Sequence, residues 1–122
     1  MTTKIELEYF LVRYTPNALQ DSFINIGLVM VGKNDADFGA VRFLDDWHPI
    51  LVFDPDADID LLKAVARDLA DQITGKHTRK AIVELMKNSF SNVIRISKPT
   101  TCSSRDPEKE FDKLVRLYLS SP

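Results

Sequence analysis

At 122 residues the chain has the size of one domain, 1–122, large enough to bury a core without disulfide or metal staples. Sixteen Lys and Arg against 18 Asp and Glu give a net charge of −2. That excludes a protein whose whole surface grips a phosphate backbone, while leaving room for a local basic patch. Apolar residues make up 44% and charged residues 28%, so the chain is expected to fold throughout. Cys102 is the one cysteine, so no internal disulfide forms. Glu6 and Glu8 stand where a secretory leader has an apolar run, and no stretch reaches the roughly 18 apolar residues that span a bilayer. The expected compartment is the cytoplasm.

Residues 5–14 alternate at first, with Ile5, Leu7 and Tyr9 set against Glu6 and Glu8. Phe10, Leu11 and Val12 are then all apolar, which predicts a strand solvated on one face at its start and covered on both faces later. Thr15, Pro16 and Asn17 end it. Residues 23–31 are apolar or Gly apart from Asn25, and Leu28-Val29-Met30-Val31 reads as a central strand. A loop at 32–37 leads to a third strand at 38–44, completing a β-meander.

Residues 45–58 read as irregular, broken by Trp47-His48-Pro49 and Asp54-Pro55-Asp56. From Ile59 the period changes to three and four, through Leu62, Val65, Leu69 and Ile73, which predicts a helix capped by Asp58 and stopped by Gly75. A second helix is expected from Thr78 to about Phe90, a fourth strand at 92–97 and a loop at 98–105. Asp106-Pro107-Glu108 starts the last helix, with Phe111, Leu114, Val115 and Tyr118 on its apolar stripe. The expectation is an α+β domain: an antiparallel sheet from an N-terminal meander plus a later strand, with about three helices packed on one face.

Candidate chemistry centres on the meander. If the loop pairs Val31 with Phe38, Gly27 lies opposite Arg42, and Asn25 shares their face. Gly there leaves room for a guanidinium to lie flat and present its donors to a carboxylate or phosphate. Arg13 and Asp21 can join Asn25, Gly27 and Arg42 in one binding patch. The competing reading is a structural ion pair of Arg42 with Asp21 or Asp45. A stacking platform from Tyr9, Tyr14, Phe23 and Phe43 competes with their use as core. Lys76, Arg79 and Lys80 at a helix start form a possible anion contact, against an exposed turn.

The remaining motifs fail. The acidic run 54–60 has Ile59 and Val65 where a calcium loop needs Gly and Glu, so it reads as a solvated turn with capping acids. His48, His77 and Cys102 lack zinc spacing. The sequence therefore carries no metal, cofactor or catalytic constellation.

Tyr9-Phe-Leu-Val-Arg13-Tyr14-Thr-Pro16 followed by Asp21-Ser-Phe-Ile-Asn25-Ile-Gly27-Leu-Val resembles the opening of the bacterial domain-of-unknown-function family 3037. Ile96-Ser97-Lys98-Pro99 and Asp106-Pro107 resemble its ending. Position 21 is usually Glu in that pattern, so Asp21 keeps the charge with a shorter reach. The resemblance implies a small stand-alone protein often encoded beside a HipA-like kinase. It implies no activity. Two functions are expected from these readings. One is an accessory protein-interaction module, partner or regulator of a HipA-like kinase in a toxin–antitoxin-type or defence locus. The other is a small anion- or nucleotide-binding domain or enzyme, with Asp21 as acid/base and the arginines as clamp. Nucleic acid is the weaker expectation, through Lys76, Arg79 and Lys80.

Overall fold

The computed structural model describes residues 4–16, 22–33, 38–73 and 94–119. Strand β1 (Ile5–Tyr14) is the centre of a five-stranded antiparallel sheet. On one edge it pairs with β2 (Ile24–Gly32), which pairs in turn with β3 (Gly39–Phe43). Its other edge is shared: β4 (Ile94–Ile96) takes Val12 to Tyr14, and β5 (Thr100–Ser104) takes Ile5 to Tyr9. Among the described residues three helices accompany the sheet: α1 (His48–Phe53), α2 (Ile59–Ile73) and α3 (Pro107–Tyr118). The α+β class, the meander and the later strand are as the sequence predicts. The helix expected from Thr78, its anion contact Lys76, Arg79 and Lys80, and the stop at Gly75 lie outside the described residues. So do the side chains of Leu69 and Ile73. No helix among the described residues is long and apolar enough to cross a membrane.

The doubly apolar middles of β1 and β2 require cover on both faces, and the helices divide accordingly instead of gathering on one. Phe10, Val12, Tyr14, Val29 and Val31 point to the side of Ile50 from α1 and Leu62 from α2. Leu7, Leu11, Leu28 and Met30 point to the other side, under Phe111 and Leu114 of α3. Two further segments depart from the sequence reading. Residues 48–53 are helical, begun by Pro49 at a position whose missing N–H costs nothing. Residues 100–104 form a strand with Cys102 as their one apolar side chain, because the free edge of β1 supplies the pairing.

Two irregularities shape the sheet. Val12 faces Gly27 but Arg13 faces Asn25, so Ile26 is an extra residue in β2. Between β4 and β5 the partner strand also gains one residue on β1, in the segment Ser97-Lys98-Pro99. Ser97 spans that gap: its N–H donates to the Leu11 carbonyl at 2.9 Å, and its Oγ accepts from the Leu11 N–H at 2.8 Å. A hydroxyl thus replaces the backbone carbonyl that the bulge displaces, and the buried Leu11 amide stays satisfied.

The helix caps follow the sequence. Asp58 accepts from the Leu61 N–H at 3.0 Å, and Asp106 accepts from the Lys109 N–H at 3.2 Å. The acidic run is a structured turn in which Asp54 accepts from the Asp56 N–H through one carboxylate oxygen. Its other oxygen accepts from the Tyr14 hydroxyl at 2.6 Å. That bond ties the α1–α2 corner to the end of β1. Trp47 packs at the edge of the same core.

Burial, aided by the Asp54 bond and its charge, pushes the Tyr14 phenol up from 10 to about 12. A folded-state pKa above the unfolded one stabilises the fold in full below pH 10, and that contribution is lost as pH rises through about 12. Urea unfolding is therefore expected to show stability falling above pH 10, with a shallower fall in Tyr14→Phe. At neutral pH that variant should be about 1–2 kcal/mol less stable than wild type. An unchanged alkaline profile in the variant counts against this assignment.

Candidate functional site

The alternation of β1 sends neighbouring residues to opposite faces. Tyr14 enters the core beneath α1 and α2, and Arg13 emerges on the α3 side. Arg13 faces Asn25 across β2 and Arg95 across β4. Directly opposed residues share a face, so Arg95, Arg13 and Asn25 form a row across three strands. The extra residue Ile26 is what places Asn25 there, because without it the pairing beyond Gly27 would run one residue out of step.

Within the row Arg13 is held on two sides. Its Nε donates to Asn25 Oδ1 at 3.4 Å, and its Cζ lies 4.2 Å from the centroid of the Phe23 ring. Phe23 is itself 45% exposed, so this stack stands in solvent. The ring fixes the guanidinium plane and Asn25 fixes one edge, which leaves the Nη edge to meet a bidentate acceptor. Among the described residues no carboxylate pairs with Arg13 or Arg95. Asp21 lies outside them.

Gly27 and Arg42 are related differently from the sequence expectation. The β2–β3 register is shifted by one residue, so Gly27 faces Phe43 and Arg42 faces Leu28. A Cβ at Gly27 would lie 2.5 Å from Phe43 Cε1, so this glycine makes room for an aromatic ring and not for a guanidinium. The shift in β3 and the extra residue in β2 offset each other. Arg42 still emerges on the face of Arg13 and Asn25, exposed on the edge strand, where it lines one cleft with Val115 and Leu119. No hydrogen bond joins Arg42 to the row among the described residues.

The aromatic platform does not assemble. Tyr14 and Phe43 belong to the core under α1 and α2, and Tyr9 meets Tyr118 with hydroxyls 3.5 Å apart on the other face. Phe23 alone of the four accompanies an arginine. His48 and Cys102 are likewise separated, His48 opening α1 on one side and Cys102 packing beneath α3 on the other. Burial, and then the charge of Glu110, raise the Cys102 thiol pKa, the opposite of an activated nucleophile. Among the described residues no group of His, Cys, Asp and Glu is arranged to hold a metal. Sequence reasoning missed Arg95, whose signal was a lone cation alternating with Ile94 and Ile96.

The model of the family described as "Protein of unknown function (DUF3037)" matches residues 9–119. No curated protein and no solved structure matches.

Two predictions separate site from scaffold. Like charges directly opposed in a sheet destabilise it, so Arg95→Gln is expected to leave stability unchanged or raise it by a few tenths of a kcal/mol in urea unfolding. A loss above about 1 kcal/mol would show Arg95 to be a structural element. Gly27→Ala is expected to cost roughly 1–3 kcal/mol through the Phe43 ring, and Phe43→Leu in the same chain to recover part of it. Failure of that recovery would point to a cause other than ring contact.

Proposed function

The chain belongs to the DUF3037 family, and we propose that it acts as a small protein-interaction module whose contact surface is the row Arg95, Arg13, Asn25. The observation that carries this reading is two arginines directly opposed across β1 and β4, the guanidinium of one held by Phe23 and Asn25. A fold gains nothing from opposing two cations, whereas a carboxylate-bearing partner gains bidentate bonds to pre-oriented donors. The partner is a HipA-like kinase in a toxin–antitoxin-type or defence locus, and the setting is the bacterial cytoplasm. Arg42, on the same face, extends the surface towards the sheet edge.

A second reading rests on the same guanidiniums, since paired arginines hold phosphate as well as carboxylate. In it the domain binds a small anion or nucleotide, or acts as an enzyme with Asp21 as acid/base.

Co-expression with a HipA-like kinase tests the first reading. Tagged wild-type chain is expected to retain the kinase, and Arg95→Gln, still folded, to release it. Recovery of the chain alone with the kinase present overturns the proposal. A rise in melting temperature with millimolar nucleotide, abolished by Arg13→Ala, would select the second reading instead.

A further inference from the structure

Helix α3 has a second surface beside the one it buries. Phe111 and Leu114 meet the sheet, and Lys109, Lys113 and Arg116 recur at four- and three-residue steps on an exposed flank. A groove of about 870 Å³ runs along that flank, walled on its other side by Ser103 and Ser104 of β5 and by Lys4. Arg105 adds a fifth cation to its lining. Leu117 stands in it towards the C-terminal end of the helix, 67% exposed.

The lining narrows the occupant. Among the described residues five cations against two carboxylates, Asp106 and Glu110, leave the groove positive. Those carboxylates sit among the cations and repel a continuous run of phosphates, and among the described residues no aromatic ring lines the groove for bases to stack on. An exposed leucine and the methylene stems of the lysines offer apolar contact instead. The cations from Lys109 to Arg116 span about 10 Å of helix, the length of two turns of a facing segment. The geometry points to this groove as the docking site for an acidic segment of a partner protein that also carries a leucine-type anchor. Its carboxylates meet Lys109, Lys113 and Arg116, and its apolar side chain covers Leu117. The groove adjoins the Ile5 end of β1, roughly 27 Å of strand from Arg13, so it is a second contact surface independent of the arginine row.

Fluorescence anisotropy with the full chain tests it. The probe is a labelled, glutamate-rich peptide of about twelve residues with two leucines one helical turn apart. Binding is expected to saturate, to weaken with salt, and to fall about tenfold or more in the Lys109→Glu, Lys113→Glu double variant. Leu117→Ser is expected to weaken it about threefold or more. Arg95→Gln is expected to leave it unchanged, which keeps this result separate from the fate of the arginine row. Absent binding, equal affinity in the charge-reversed variant, or equal affinity for the peptide with Gln in place of Leu overturns the proposal. So does tighter binding of a single-stranded oligonucleotide of the same charge.

Discussion

Strand β1 is hydrogen-bonded along both edges, and every other strand takes its position from that ladder. Strand β2 holds one edge over eight paired positions, and β4 with β5 divide the other. Because its middle is apolar on both faces, β1 must be covered twice, which fixes where the helices go. It brings together segments more than eighty residues apart in sequence, such as Arg13 and Arg95. A polar end on an otherwise buried central strand is therefore where a surface site can be assembled from distant residues while staying rigid.

Much of this was legible in the sequence because local signals and tertiary demands agree. The bounds of β1, the caps Asp58 and Asp106, and the start of the last helix all follow from period and capping chemistry. The two missed elements are those where local signals are weak. Helix α1 has six residues, too few for a period to emerge, and two prolines flank its apolar run. Strand β5 is Thr-Thr-Cys-Ser-Ser, whose extended form is imposed by the edge of β1.

The site was half legible for a related reason. Arg13 and Asn25 stand out as polar residues in apolar strands, and the structure joins them. Their coming together depends on Ile26, an extra residue that no spacing argument announces. Gly27 was rightly singled out as a position of close approach, but its neighbour is Phe43, because the β2–β3 register lies one residue from the expected one. Arg95 carried almost no signal, because its meaning comes from pairing across the whole length of the chain.

Charge is unevenly placed among the described residues. Residues 45–62 contain six aspartates and no lysine or arginine, and Asp54, Asp56 and Asp58 of that stretch gather at the α1–α2 corner. The cations Arg13 and Arg95 lie on the α3 side of the sheet, and others flank α3. A net charge near zero thus conceals local patches of opposite sign, an acidic corner and a basic helix flank. An acidic surface nearing the molecule is drawn to the flank and repelled by the corner before any contact forms. The fold therefore biases the orientation of encounter as well as the contacts that follow, and the range of that bias shrinks with the Debye length as salt rises.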